Sequence, residues 1–121
     1  MTNTAKALYK FFNSFDLDAY VEYNIPDDAE LPYITYQLIE PAWNDVGTIY
    51  ARVWYRSTSY AAISAKVDEI KAAVGDGISL PTDGGAVYLT PGTPYAQNMP
   101  MEGDPTLKVV YLLFNIQTPT L

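Results

Sequence analysis

Two periods of hydrophobic and polar residues run along this chain. Leu8, Phe11, Phe12 and Phe15 fall at i, i+3, i+4 and i+7. That stripe predicts a short helix whose apolar side must dock on another element. Asp16-Leu17-Asp18 is badly placed for a helix C-terminus, which ends the helix by Phe15. Ala19 to Asn24, with Tyr20, Val21 and Tyr23, reads as a short strand, and 25–30 as an acidic turn-rich loop. From Leu31 to Glu40 the period is two, with Ile34, Tyr36 and Leu38 on one face and Tyr33, Thr35, Gln37 and Ile39 on the other. Thr48 to Arg56 repeats the pattern: Ile49, Ala51, Val53 and Tyr55 form a face to bury, opposite Thr48, Tyr50, Arg52, Trp54 and Arg56. The short Asn- and Gly-bearing connection between these strands predicts an antiparallel hairpin.

The helical period returns at Tyr60, Ile63, Val67, Ile70 and Val74, preceded by the capping run Ser57-Thr58-Ser59 and followed by Gly75 at a C-cap position. Short strands at Ile78–Leu80 and Ala86–Leu89 flank the turn Pro81–Gly85. Leu107 to Gln117 is apolar on both faces, which predicts a central strand covered on two sides. Thr90 to Thr106 contains Pro91, Gly92, Pro94, Pro100, Gly103 and Pro105, and reads as a long loop whose length implies a purpose. Residues 1–121 therefore form one α+β domain in the order α-β-β-β-α-β-β-β. A mainly antiparallel sheet of 5–6 strands carries the two helices packed on one face.

Composition narrows the chemistry. There is no Cys and no His in 121 residues, which removes thiolate nucleophiles, disulfides, zinc fingers and histidine general bases. Seven Lys plus Arg against fourteen Asp plus Glu give a net charge of −7, the wrong sign for gripping nucleic acid. No apolar run reaches the roughly 18–20 residues of a membrane span, and the opening residues lack the order of a secretory signal. The Asp16/Asp18 and Asp27/Asp28 pairs fit neither a calcium loop nor a glycosidase pair, and Asp83-Gly84-Gly85 lacks the ending of a phosphate loop. The expectation is a non-enzymatic protein with no cofactor and no metal.

Three groups stand out as candidate contact sites. Tyr50, Arg52, Trp54 and Arg56 share one strand face, and Arg and Trp are enriched at interface centres. They make either a subunit interface that meets an acidic neighbour, or ordinary cross-strand pairs with a carboxylate and aromatic rings. Tyr95, Met99 and Met101 would anchor the 90–106 loop as an arm that orders against a partner. Asp27, Asp28 and Glu30 belong to a stretch from Phe11 to Ala51 that holds eight carboxylates and no Lys or Arg. That acidity is either a solvated surface or a functional field.

The order and wording of several segments resemble a known family. Ala7-Leu8-Tyr9-Lys10-Phe11-Phe12 and Leu31-Pro32-Tyr33-Ile34-Thr35-Tyr36-Gln37-Leu38 are similar to the opening helix and first long strand of siphophage and prophage tail-completion proteins. Val53-Trp54-Tyr55-Arg56-Ser57, Ala65-Lys66-Val67-Asp68-Glu69-Ile70 and Pro94-Tyr95-Ala96-Gln97-Asn98-Met99-Pro100 continue the resemblance over nearly the whole chain. It fits the tail-terminator family, with minor capsid and head–tail connector proteins as close neighbours. The resemblance implies a virion protein, made in the bacterial host cytoplasm. It would assemble with itself as a hexameric ring, cap the tail tube protein, end tube polymerisation and meet the head–tail connector protein. Asp27, Asp28 and Glu30 would then line an acidic lumen through which DNA passes without specific binding, and the 90–106 loop would meet the tube or the next subunit. The alternatives are a minor capsid or head-closure protein of the same virion, and a small cytosolic domain that binds a ligand between helices and sheet.

Overall fold

A computed structural model describes residues 3–39, 47–83, 85–99 and 103–117. The elements are α1 (Asn3–Phe12), a 3-10 turn (Asn13–Phe15), β1 (Asp18–Val21), β2 (Tyr33–Ile39), β3 (Gly47–Arg56), α2 (Ala61–Val74), β4 (Ile78–Thr82), β5 (Gly85–Met99) and β6 (Leu107–Gln117). They build an α+β fold with one six-stranded sheet in the order β1-β2-β3-β6-β5-β4. Every neighbouring pair is antiparallel except β1 and β2, which run parallel. The expected hairpin forms with Ile34 opposite Val53 and Tyr36 opposite Ala51. The expected serine cap is displaced by one residue: the N-cap of α2 is Tyr60, with no side-chain cap bond, and Ser59 Oγ just before it accepts from the Ala61 N–H at 3.0 Å. Gly75 ends it at φ 57° and ψ −133°, a positive φ that glycine adopts without a Cβ penalty.

One face of the sheet holds the core. Ile34 and Tyr36, Ile49, Ala51 and Val53, and Val110, Leu112, Phe114 and Ile116 are all buried there with the apolar sides of both helices. Phe12 lies at the centre, fully buried. Its ring stacks on Tyr36 at 4.7 Å and meets Phe114 edge-on at 6.0 Å, joining α1 to strands from both halves of the sheet. Leu8 and Tyr9 of α1 face β1 across one hollow, while Lys6, Ala7 and Lys10 face β4 across another. In a flat sheet those two edge strands would stand about 24 Å apart, five strand spacings. The same two turns of helix meet both edges, so the sheet curls around α1 and leaves a convex outer face.

Curling also explains how the edges are partly blocked. On β1 the Glu22 N–H, just beyond the strand, turns inward to the Tyr36 carbonyl, so the groups of Ala19 and Val21 turn outward. Both outward positions are engaged within the chain: the Ala19 N–H donates to Asn13 Oδ1 at 3.0 Å, and the Val21 carbonyl accepts from the Asn24 N–H at 2.9 Å. The opposite edge, β4, packs beside α1 and contains Pro81, which has no N–H to offer. Each edge is therefore partly blocked: two of the four outward groups of β1 are used within the chain, and β4 lacks one donor.

Two expectations are corrected. Thr90–Met99 is not loop: β5 runs unbroken through it and pairs with β6 on both sides of a bulge between Pro91 and Ala96. Pro91, Gly92 and Pro94, which read as loop residues, sit in or beside that bulge, where proline's missing donor is tolerated. Gly92 is required there, since a Cβ would lie 2.5 Å from Leu113 Cγ. Of the expected loop, only Gly103–Thr106 is described as non-strand, and 100–102 lies outside the described residues. The second correction concerns β6. It is central, but its second face is not covered by helices: Val109 is buried, while Tyr111, Leu113 and Asn115 are only half-buried.

Phe12→Ala should lower unfolding free energy by about 3–5 kcal/mol in urea titration. Tyr23→Ala, at a side chain 73% exposed, should change it by no more than about 0.5 kcal/mol.

Candidate functional site

Strand alternation sets the convex face. On β3 it puts Tyr50, Arg52, Trp54 and Arg56 on the side away from the helices, and the register places Tyr33, Thr35 and Gln37 of β2 and Val109, Tyr111 and Leu113 of β6 beside them. The face is bound together by its own contacts. The Trp54 Nε1–H donates to Thr35 Oγ1 at 3.0 Å, giving the fully buried Thr35 hydroxyl a partner. Tyr20 and Tyr33 meet edge-on at 5.8 Å, and Tyr33 tilts against Trp54 at 6.1 Å.

Both arginines find carboxylates within the chain. Arg52 forms an ion pair with Glu22, and its guanidinium lies 4.6 Å from the centre of the Tyr111 ring. Arg56 pairs with Asp104 at 2.7 Å and donates to Thr106 Oγ1 at 2.9 Å. The cross-strand reading of these residues therefore describes Arg52, and the acidic neighbour expected to meet the two arginines has no unpaired guanidinium to meet. Outward the face offers these paired arginines, Arg56 still 55% exposed, together with apolar and aromatic area. Tyr50 is 47% exposed, Tyr88 is 43% exposed and Ile39 is 39% exposed, and the half-buried Leu113 stands opposite Tyr50. Sequence reasoning named Tyr50 and Trp54 but missed Leu113, Tyr111 and Tyr88. The signal was present in the apolar second face of β6, which was assigned to a covering layer.

The other two groups separate. Tyr95 is not an arm residue: its ring meets Phe114 edge-on at 5.7 Å and its hydroxyl donates to the Val67 carbonyl of α2 at 3.0 Å. Burial, and then the nearby Asp68 carboxylate, push that hydroxyl far up. Met99 sits half-buried opposite Val109, at the far end of the convex face, and Met101 lies outside the described residues. Asp27, Asp28 and Glu30 are all exposed on the loop between β1 and β2. That loop leaves the sheet beside a groove of about 570 Å³, lined by Leu8 and Tyr9 of α1, Val21 and Tyr23 at the end of β1, and Tyr36 and Leu38 of β2.

Among the described residues no three His, Cys, Asp or Glu side chains gather in a way that could hold a metal ion. None of the described helices is long and apolar enough to cross a membrane. No protein-family model matches the chain, and no curated protein matches it.

The Arg56–Asp104 pair has a pH signature. Hydrogen bonds from Arg56, then from the Thr106 hydroxyl and N–H, hold the Asp104 carboxyl down at about 2, from an ordinary 3.8. A lowered folded-state pKa stabilises above the unfolded value and is lost as pH falls toward the folded one. The Tm advantage of the native chain over Asp104→Asn should thus be constant from neutral pH to about 4 and shrink between pH 4 and 2, read by thermal melts across that range.

Proposed function

We propose that this chain is a structural subunit of a phage tail: it caps the tail tube, ends its polymerisation and joins it to the head connector as a homo-oligomeric ring. The observation that carries the reading is the uncovered convex face. The most apolar strand of the sheet, β6, turns Tyr111 and Leu113 to a side without helices, and Leu113 stands opposite the exposed Tyr50. An aromatic and aliphatic patch of this kind is what a self-associating surface presents. The partly blocked edges favour the same reading, because they make contact through side chains more favourable than extension of the sheet by strand pairing. The segment-by-segment likeness to tail-completion proteins supplies the virion context. A minor capsid or head-closure role would use the same surface.

The acidic loop fits a ring through which DNA moves. Asp27, Asp28 and Glu30 are exposed, and carboxylates keep phosphates at a distance without binding them. The ligand-binding alternative has the α1 groove in its favour. That groove is open along its flank, with Tyr9 and Tyr23 exposed, whereas small-molecule sites bury about 70–90% of their ligand. The ring reading is therefore preferred.

Tyr50→Glu tests it. Arg52→Glu would also set two carboxylates against each other at Glu22, so the Tyr50 variant is cleaner. Incubated with a siphophage tail-tube protein, the native chain should yield tubes of uniform length ending in rings under the electron microscope. Tyr50→Glu should give overlong, uncapped tubes, with Tm within about 3 °C of the native value. Tubes of equal length with either protein would contradict the reading.

A further inference from the structure

We propose that the groove between α1 and the β1–β2 edge docks a segment of a partner protein whose apolar anchors are flanked by lysine or arginine. The apolar half of that statement comes from the walls. Tyr9 is 49% exposed, Val21 36% and Tyr23 73%, three neighbouring side chains that a monomer gains nothing by showing to water. Beneath them Leu8 and Tyr36 are buried, so the groove has a firm apolar floor. At about 570 Å³ it has room for two or three side chains of a ligand.

The edge favours one mode of docking. A peptide that added a strand to β1 would need the outward groups of Ala19 and Val21, and Asn13 and Asn24 already hold two of those four, the Ala19 N–H and the Val21 carbonyl. An occupant that lays side chains into the groove, as an amphipathic helix does, needs none of them.

The basic half comes from charge. The chain leaves the groove wall at Tyr23 and runs into Asp27, Asp28 and Glu30, all exposed. No Lys or Arg occurs between Phe11 and Ala51. The two lysines of α1, Lys6 and Lys10, line the hollow on the β4 side of the helix instead. After burial, the carboxylates of Asp18 and Asp28 raise the Tyr20 hydroxyl, which reports a negative field along this edge. Tyrosine rings at the mouth add faces on which a cation can rest. Repelling DNA phosphate and attracting a basic partner are one electrostatic property met by two ligands. The floor of the groove lies on the helix side of the sheet, while its rim reaches the edge of the convex face through Tyr23, whose hydroxyl accepts from Gln37 Nε2 at 2.9 Å.

The probe is a fluorescein-labelled amphipathic peptide of leucine and lysine, roughly 14 residues long, with a leucine–glutamate peptide of the same pattern as its counterpart. Fluorescence anisotropy with the intact chain should show saturable binding of the lysine peptide and none of the glutamate peptide. Val21→Ser with Tyr23→Ala should weaken binding by about tenfold. Replacing Asp27, Asp28 and Glu30 by their amides should weaken it by about fivefold and flatten its dependence on salt. Tyr88→Ala, on the convex face, should leave it unchanged. Thermal melts confirm that each variant is folded. Equal affinity for the groove variant and the native chain, or for both peptides, would overturn the proposal. So would a self-association of the chain alone that Val21→Ser with Tyr23→Ala abolishes and the lysine peptide does not displace, since the occupant would then be a second copy.

Discussion

Phe12 lies with its ring 4.7 Å from that of Tyr36 and edge-on to Phe114, and the arrangement of the molecule depends on that contact. Tyr36 belongs to β2 and Phe114 to β6, with β3 between them. A helix held at this point has to be wrapped by the sheet, because a flat sheet would leave its flanks in water. Wrapping brings β1 and β4 to opposite flanks of α1, and α2 fills the rest of the concave side through Ile63, Val67, Ile70 and Val74. Both helices are used up inside the curl, and the convex side is left bare.

A bare sheet face has to be stable by itself before it can be used. Here cross-strand contacts do that: Trp54 on Thr35, Tyr33 between Tyr20 and Trp54, and Arg52 between Glu22 and Tyr111. Such contacts fix side-chain positions and lower the entropy lost when a second surface arrives. The arginines thus shape the face through contacts within the chain. With both edges partly blocked, a proposed assembly through this face competes better against open-ended strand pairing.

The sequence was most legible where one period dominated. Leu8, Phe11, Phe12 and Phe15 mark the docking side of the first helix, all buried, and Ile49, Ala51 and Val53 mark the inner face of β3. Legibility failed where a local signal and a long-range contact disagreed. Pro91, Gly92 and Pro94 carry the composition of a loop, yet pairing with β6 on both sides of a bulge keeps the strand intact. Ion pairing was equally hidden, because Glu22 stands 30 residues from Arg52 and Asp104 stands 48 from Arg56. The apolar second face of β6 was read correctly as a pattern and assigned to the wrong cause. A face covered by helices and a face left half-exposed look the same along one chain.

The central claim is that copies of this protein meet through the convex face. Because the chain has no cysteine, a single thiol can report on any position. Tyr50→Cys and Glu69→Cys, the latter on exposed α2, are placed one at a time and reacted with a maleimide before and after assembly on tail tubes. The account predicts that the thiol at 50 becomes slow to react on assembly while the thiol at 69 keeps its rate. Equal reactivity at 50 in the free and assembled protein would contradict it.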